Sequence, residues 1–436
     1  MTPPTDTPLT DTPLTDIPLT DTPVTDTEWL RRAEALDAAD PLAHLRAEFL
    51  LDAAADVVSY LDGNSLGRPL RATAERIADF VSSQWAGRLI RGWTDGWMQW
   101  PEQVGDELAR VTLGAAPGQT VVADSTTVLF YKLVRAAVDA APDGRDEIVC
   151  DTDNFPTDRY VVEGIAAERG MTVRWVDTDP AGGVTVEQVR AAVGPRTALA
   201  TFSHVAYRSG FMADAAAITA VVHGAGGLVL WDLSHSVGSV ELALEAWGVD
   251  LAVGCSYKYL CGGPGAPAFG YLAARHHGTL RQPVQGWMGH AEPMRMGPGY
   301  APASGARSLV SGTPPILAMV PLRCGLEVID RAGMAAVREK SLALTGFALR
   351  LVDAWFADLG VEVTSPRDPA RRGGHVTLRR DDFRDVTDVL WERGVLPDYR
   401  DPGGIRIGPA PLSTSFREVH DGLAVLRDVL RGRPCP

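Results

Sequence analysis

The sequence lacks the features that would assign the chain to a membrane or metal-binding class. It has no apolar run of about eighteen residues, the length that spans a bilayer, and no apolar segment typical of a signal peptide. Its five cysteines form no C-x-x-C pair and no zinc-like spacing. The sequence therefore predicts reduced thiols, a cytoplasmic location and no metal site.

An excess of basic residues is absent as well. Lys and Arg number 41 against 55 Asp and Glu, which gives a formal net charge of −14. Nucleic acids and anionic membranes attract clustered positive charge, so neither is an expected partner. A small molecule is the expected partner instead.

The chain does have the length and composition for more than one domain. It is 45% hydrophobic, and 436 residues exceed the usual length of one domain. Near its start a Thr-Asp-Thr-Pro-Leu unit repeats, and its regular proline forbids a helix, which predicts a solvated tail, with a docking tag as the alternative. From the start of the chain we predict a disordered extension over 1–27, a segment packing on the main body over 28–68, a large domain over 69–325 and a small C-terminal domain over 326–436.

The order of apolar runs predicts an α/β fold. Between about residues 121 and 269, short apolar runs alternate with helical patterns, which is typical of a mostly parallel sheet with helices on both faces. Beyond residue 330, a long helix over 332–359, a strand at 374–378, a helix ending near 393 and a strand at 405–407 predict a smaller α+β domain.

Two consecutive predicted strand ends carry the residues best suited to cofactor chemistry. The run at 228–231 ends in Asp232, with His235 after it, and the run at 251–253 leads to Tyr257 and Lys258. Open α/β sheets bind ligands at this edge. A partly neutral lysine forms a Schiff base with an aldehyde and a carboxylate suits a pyridine nitrogen, so the pair fits pyridoxal phosphate. For either residue alone, a surface lysine or a helix-capping Asp is the alternative.

Anion-binding groups are predicted at two further places. Ser125, Thr126 and Thr127 precede a helix, whose N-terminal N–H groups favour an anion, and an ordinary helix cap explains only one hydroxyl of the three. Arg406 lies between apolar residues on a short strand, where it suits a bidentate grip on a carboxylate. An internal salt bridge is the alternative for Arg406.

Seven segments, spread over about residues 58–430, resemble the kynureninase family, particularly its bacterial members. They are YLDGNSLG, LIRGWTDGW, DNFPTD, WDLSH, GCSYKYLCGGPGAPAF, QGWMGH and SGTPP. The resemblance implies a homodimeric fold-type I pyridoxal-phosphate enzyme with a seven-stranded, mostly parallel sheet. Its implied reaction is hydrolysis of the Cβ–Cγ bond of L-kynurenine or 3-hydroxy-L-kynurenine to an anthranilate-type product and L-alanine, in tryptophan breakdown or in a biosynthetic route.

The resemblance also implies a role for individual residues. Lys258, Asp232 and Tyr257 would be catalytic: the Schiff-base lysine, the partner of the pyridine nitrogen and a proton shuttle. The implied cofactor contacts are Thr126, Thr127, Phe155, Pro156, Thr157, Asp158, Ser203, Asp232, His235, Tyr257 and Lys258, with Trp287 and Thr313 reaching the cofactor phosphate of the other subunit. The implied substrate contacts are Asn64, Trp93 and Arg406.

Three residues depart from the family pattern. Leu129 and Cys261 stand where asparagine is usual, and we expect them to change hydrogen bonding near the cofactor. Ser413 stands where bacterial relatives often have tyrosine, and we expect it to open the side of the small domain. Cleavage of a modified kynurenine, transamination and desulfuration stay open as alternatives, as does a non-catalytic protein on the same fold.

Overall fold

The computed structural model describes residues 25–432 of the chain. The N-terminal segment contains α1 (Asp26–Ala39), a 3-10 helix (Ala43–Glu48) and β1 (Ser59–Tyr60). Residues 1–24 of the predicted extension lie outside the described residues. Its last two residues, Asp26 and Thr27, already belong to α1, because the Thr25 hydroxyl caps the helix by accepting from the Glu28 N–H.

The large part of the chain alternates helices with seven strands. Its elements in chain order are α2 (Arg71–Asp79), α3 (Ala86–Arg88), α4 (Gly92–Asp95), α5 (Trp100–Leu108), β2 (Thr120–Ala123), α6 (Thr126–Asp139), β3 (Glu147–Asp151), α7 (Pro156–Arg169), β4 (Thr172–Val176), α8 (Val186–Ala192), β5 (Thr197–Ser203), α9 (Ala215–Gly224), β6 (Leu228–Asp232), β7 (Leu251–Gly254) and β8 (Ala268–Leu272).

These seven strands form one sheet in the order β2-β8-β7-β6-β5-β3-β4. Strand β8 is antiparallel to both of its neighbours, and all other neighbours are parallel. Side chains on one strand alternate between two cores: Val229 and Trp231 face α9, whereas Leu230 faces α6 and α7. The predicted mostly parallel, seven-stranded sheet is confirmed.

The C-terminal part is built around two long helices and a small antiparallel sheet. Its elements are α10 (Ile316–Ala332), α11 (Met334–Trp355), β9 (Glu362–Val363), β10 (Val376–Arg379), α12 (Phe383–Glu392), β11 (Val395–Leu396), β12 (Asp398–Arg400), β13 (Gly404–Ile407) and α13 (Phe416–Leu430). The sheet order is β12-β13-β10-β9, and β1 pairs with β11. Trp29 of α1 belongs to the same apolar core as α11 and α13, whereas Leu45 and Phe49 belong to the core of the large part, so the N-terminal segment packs on both.

The described residues include no helix that combines the length and the apolar character needed to cross a membrane. Four of the five cysteines, Cys150, Cys255, Cys261 and Cys324, are buried free thiols. The fifth, Cys435, lies outside the described residues.

Candidate active site

The carboxyl edge of the parallel sheet brings together residues from two strand ends. Strand β6 ends at Asp232, and β7 ends four residues before Lys258. The Lys258 Nζ lies 2.9 Å from the Nε2 of His235, and both side chains are buried. The predicted cluster of Asp232, His235 and Lys258 therefore exists as one buried site.

Lys258 differs from the other lysines of the chain. The sequence has three lysines, and all three are buried. Lys132 pairs with Asp124 and Lys340 pairs with Asp40, whereas the only hydrogen-bond partner of the Lys258 amine among the described residues is His235. Burial lowers the pKa of Lys258, which increases its neutral, nucleophilic fraction at neutral pH.

Asp232 shares the site with a second carboxyl group. Asp158, in the first turn of α7, is buried beside it. Burial and the charge of Asp232 raise the pKa of Asp158 well above its ordinary value, which favours the protonated form of Asp158 beside Asp232. The Asp232 Oδ1 also accepts from the Ser234 N–H at 2.8 Å. The site therefore contains two buried carboxyl groups side by side, Asp232 and Asp158.

The strand next to β6 and the start of α7 form one wall. Ser203 ends β5 directly opposite Asp232, and its Oγ donates to the Asn154 Oδ1 at 2.8 Å. Phe155 is 37% exposed and its ring meets Tyr207 edge-on, with centroids 5.4 Å apart. Pro156 and Thr157 begin α7 just behind Phe155. An aromatic ring thus stands free for stacking at the mouth of the site.

A helix N-terminus faces the same edge. Thr126 and Thr127 are the first two residues of α6, and the Ser125 hydroxyl caps the helix by accepting from the Val128 N–H. The Thr127 side chain is exposed, so its hydroxyl is free for a ligand. The N–H groups of such a terminus favour a phosphate.

These residues fit pyridoxal phosphate on their own chemistry. The site holds an amine for the aldehyde, a carboxylate for the pyridine nitrogen, an aromatic ring for stacking and a helix terminus for the phosphate. Two buried polar atoms, the His235 Nδ1 and the Asp158 Oδ2, have no hydrogen-bond partner among the described residues. Those residues contain no group of three or more His, Cys, Asp or Glu side chains arranged to hold a metal ion.

Tyr257 lies at the entrance to this cluster. Its ring centroid is 6.0 Å from the Lys258 Nζ, and the residue is half-buried. Burial and the neighbouring Cys255 thiol raise the pKa of the Tyr257 phenol above its ordinary value. The phenol therefore keeps its proton at neutral pH and serves as a hydrogen-bond donor.

Arg406 occupies the middle of β13 and is 1% exposed. Its Nε donates to the Asp398 Oδ2 at 2.6 Å, its Nη1 to the Tyr207 carbonyl at 2.8 Å and its Nη2 to the Ser65 Oγ at 2.8 Å. The internal salt bridge named as the alternative is thus present. Arg406 still faces Ser65, the residue after the predicted substrate contact Asn64.

Asn64 is fully buried, and neither its Nδ2 nor its Oδ1 has a hydrogen-bond partner among the described residues. It packs against the backbone of Gly408, where a Cβ would stand 1.8 Å from the Asn64 Oδ1. Only glycine fits at that position. An unpaired buried amide close to Arg406 is suited to a polar ligand.

Three predicted contacts are not among the buried residues around Lys258. Trp93 packs with other aromatic residues, its ring 5.6 Å from that of Trp97 and perpendicular to it. Trp287 is 39% exposed, and Thr313 is exposed on the loop before α10. The positions of Trp287 and Thr313 leave both side chains available to a second subunit.

The three residues that depart from the family pattern do not have the effects expected from the sequence. Leu129 is fully buried in the core between α6 and β8, close to Gly270, so it packs against apolar atoms and offers no altered hydrogen bond to a cofactor. Cys261 is buried with a φ of +56°, a conformation that asparagine tolerates better. Ser413 is fully buried and its carbonyl accepts from the Arg46 Nε, so it opens no path to solvent.

Several residues of the site were not predicted from the sequence. Asp398 is an ordinary acid in the segment DYR, and only the fold brings it to Arg406. His375 lies outside the quoted segments, yet its buried ring is 5.5 Å from that of His235. The small number of lysines is a sequence signal for this site. With only three in the chain, a lysine without a carboxylate partner is a candidate for the reactive amine.

The architecture and the strand-edge site define a class of protein. A cysteine desulfurase from Thermococcus onnurineus superposes with a TM-score of 0.78, covering 89% of this chain and 98% of its own, at 17% identity. A variant of C-DES with glycine covalently linked to its PLP cofactor superposes with a TM-score of 0.76, covering 88% and 99%, at 22% identity. The fold is that of the fold-type I pyridoxal-phosphate enzymes.

Proteins of similar sequence show which family of fold-type I pyridoxal-phosphate enzymes this chain belongs to. The kynureninase of Pseudomonas fluorescens is 40% identical over 403 residues, 91% of this chain and 94% of the relative. That of Burkholderia pseudomallei is 41% identical over 405 residues, with the same shares. The family model for the kynureninase C-terminal domain matches residues 337–426. This chain belongs to the kynureninase family.

Proposed function

We propose that this chain uses pyridoxal 5'-phosphate to hydrolyse the Cβ–Cγ bond of L-kynurenine, or of its 3-hydroxy or another modified form. The products are an anthranilate-type acid and L-alanine. The observation that supports this most directly is the buried amine of Lys258, which has no carboxylate partner among the described residues and lies 2.9 Å from the His235 Nε2 at the strand edge of a chain in this family.

Each residue of the cluster has a task that its surroundings support. When bound, the cofactor supplies an aldehyde that links to an amine and a ring that withdraws electrons from Cα. Lys258 provides the amine and moves a proton at the substrate Cα, and His235 orients that amine from 2.9 Å. Asp232 holds a proton on the pyridine nitrogen, and the neighbouring Asp158, whose pKa is raised by burial and by the charge of Asp232, helps to fix the Asp232 carboxylate in place.

The remaining contacts position the two ligands. We propose that Thr126, Thr127 and Tyr257 donate to the phosphate and that Phe155 stacks on the pyridine ring, with Ser203, Pro156 and Thr157 shaping the wall beside it. For the substrate, we propose that Arg406 and Asn64 hold the α-carboxylate and that Trp93 contributes to the aromatic pocket.

We also propose a homodimer in which Trp287 and Thr313 complete the site of the other subunit. Both are exposed, and further large apolar side chains are exposed on the described residues, including Leu89, Ile90 and Met294. Apolar surface of this kind is typical of an interface. In addition we propose a cytoplasmic location, with the four buried free thiols as support, and the four-part domain division given above.

Desulfuration is the alternative that the described residues support least. That reaction needs an exposed, reactive thiolate, whereas Cys261 is buried and burial raises its pKa to about 12. Incubation of the purified protein with L-cysteine and pyridoxal phosphate tests this directly. Sulfide release at a rate comparable to anthranilate release from kynurenine would favour desulfuration.

The test of the proposal compares two variants of Lys258 under steady-state conditions. Wild-type protein loaded with pyridoxal phosphate should release fluorescent anthranilate from L-kynurenine and show the visible absorbance of the bound cofactor. Both signals should disappear in Lys258→Ala and in Lys258→Arg, because the arginine keeps the charge but forms no imine. Turnover that persists in Lys258→Arg would refute the role of the amine.

A further inference from the structure

Most N–H donors of the Arg406 guanidinium already bind acceptors within the protein. This limits how a substrate carboxylate can bind to Arg406. An arginine has five N–H donors. Four contacts are made here: Nε and Nη2 both reach the Asp398 Oδ2, Nη1 reaches the Tyr207 carbonyl and Nη2 reaches the Ser65 Oγ. An incoming carboxylate therefore approaches a cation that already has one carboxylate.

A second carboxylate, that of Asp62, lies on the other side of Ser65. The Ser65 Oγ accepts from the Arg406 Nη2, and the Ser65 N–H donates to the Asp62 carbonyl, so Ser65 connects the two residues. The Asp62 Oδ1 is buried and has no hydrogen-bond partner among the described residues. An ionised carboxylate with an unpaired buried oxygen costs much more free energy than its protonated form.

The charged groups facing Asp62 come from two segments. Strands β12 and β13 contribute Arg400, Asp398 and Arg406, and the chain's own segment contributes Tyr60. The phenol of Tyr259 is a further titratable group within range of the Asp62 charge. Burial raises the pKa values of both tyrosines, so both are neutral near pH 7.

The net charge of this buried cluster changes when a carboxylate binds. With Asp62 ionised, two arginines balance two aspartates, and a bound carboxylate would leave a buried net charge of minus one. Protonation of Asp62 restores the balance. Among the four charged groups, Asp62 is the one whose pKa rises into the relevant range, to about 6, through burial and the charge of Asp398.

We propose that a carboxylate binds to Arg406 together with one proton, which is taken up by Asp62. This proposal rests on the assignment of Arg406 as carboxylate anchor in the proposed function, and it adds a regulation by pH that the reaction chemistry alone does not require. Affinity for the carboxylate then falls by about tenfold per pH unit above the pKa of Asp62, since one proton is linked to binding.

The test uses propionate, which has the carboxylate and carbon chain of alanine but no amine. Calorimetric titration of the holoenzyme in two buffers of different ionisation enthalpy counts the protons taken up per propionate bound. Near neutral pH the wild type should take up close to one proton, and Asp62→Asn close to none. Asp56→Asn, an exposed Asp in the same segment, should behave as the wild type.

Asp398→Asn gives a second, independent reading. Without the Asp398 charge, the cluster with bound propionate is already neutral, so no proton is needed and binding should be tighter and independent of pH. Arg406→Gln should abolish propionate binding. Asp398→Asn and Arg406→Gln together test the proposal even if Asp62→Asn does not fold.

Three results would overturn the proposal: no proton uptake by the wild type, proton uptake that persists in Asp62→Asn or Asp398→Asn, or no propionate binding that depends on Arg406. The outcome is separate from that of the proposed function, because propionate binding does not require turnover. Kynurenine hydrolysis without proton-linked propionate binding refutes this inference alone. Proton-linked binding without hydrolysis refutes the substrate alone.

Discussion

Cys261 is one of four described non-glycine residues with a positive φ, and of the four it is the buried thiol near Lys258. At a φ of +56° a side chain with a Cβ is strained by about 1 kcal/mol relative to glycine. We expect Cys261→Gly to be more stable than Cys261→Ala by about 1 kcal/mol, because both remove the thiol but only glycine relieves the strain. Urea unfolding of the holoenzyme measures the difference.

The matched control is Cys150, a buried thiol in the middle of β3. There the order should reverse, because glycine in a strand is less stable than alanine by about 0.5–1 kcal/mol. The same order at both positions would contradict the explanation from backbone strain.

The role of Tyr257 as a proton shuttle, which the family resemblance implies, can be tested by removing its hydroxyl. Its phenol keeps its proton and its ring centroid lies 6.0 Å from the Lys258 Nζ, so Tyr257→Phe should lower kcat by about 10²–10⁴-fold while the cofactor stays bound. Tyr271→Phe removes a hydroxyl on β8 that bonds to Gln119 and should leave kcat unchanged. A kcat for Tyr257→Phe equal to that of Tyr271→Phe would refute the role.

At the residue scale, the sequence predicted which residues belong to the site better than it predicted which side chains contact each other. Asp232, His235 and Lys258 were predictable, because each follows an apolar run that can only be a buried strand. The pairing of Arg406 with Asp398 was not, since the register of β12 and β13 decides it. Leu129 was misread for a similar reason: its helix turns it towards β8 and away from the site.

At the scale of elements, Asp250 connects several elements by hydrogen bonds at the edge of the sheet opposite the Lys258 site. It lies just before β7 and accepts from the Val229 N–H of β6, from His223 near the end of α9 and from Arg275 and His276 after β8. One buried carboxylate thus connects four segments. Asp250→Asn should cost about 2 kcal/mol of unfolding free energy at neutral pH, a typical value for hydrogen bonds to a charged group.

The pH dependence of that cost follows from the pKa of Asp250. Burial alone would raise this pKa, but the hydrogen bonds from His223, His276 and Val229 outweigh it and hold the pKa below the ordinary 3.8. The stabilisation is therefore present above pH 3.8 and lost as the pH falls below it. The gap between wild type and Asp250→Asn should narrow there.

Asp146, whose exposed carboxylate pairs with Arg196, is the control for Asp250. Asp146→Asn should change the unfolding free energy by less than about 1 kcal/mol, because solvent screens the pair. Equal effects of the two substitutions in chemical denaturation would contradict the role assigned to Asp250.

The elements themselves were largely predictable from the sequence. The predicted strand at 228–231 became β6, and the predicted long helix at 332–359 became α11, Met334–Trp355. Its start is set by Gly333, whose φ of +76° separates α10 from α11. Short strands were predicted at Tyr60 and around Val361, close to β1 and β9, but the pairing of β1, β9 and β11 was not predictable because it depends on distant segments.

At the scale of the whole molecule, the proposed dimer makes a prediction about mixed subunits. If Trp287 serves the site of the other subunit, Lys258→Ala and Trp287→Ala chains should each be impaired alone. A mixed dimer would then contain one site with an intact Lys258 and an intact Trp287. After subunit exchange of equal amounts, activity should recover to about a quarter of the wild-type value, since random pairing makes half the dimers mixed.

Recovery in that experiment would place the two residues in different chains of one site. Its absence, with subunit exchange verified by mass, would show that Trp287 acts within its own chain or not at all. The control mixes Lys258→Ala with Asp232→Asn, two residues of the same chain's site, and should show no recovery.

The central claim is that the strand-edge site of the whole protein cleaves kynurenine with water. The most direct measurement follows purified protein, pyridoxal phosphate and L-kynurenine by proton NMR until the substrate is consumed. One anthranilate and one L-alanine per kynurenine, with no conversion by Lys258→Ala, is the predicted result. Unchanged kynurenine in the presence of bound cofactor, or products in any other ratio, would contradict it.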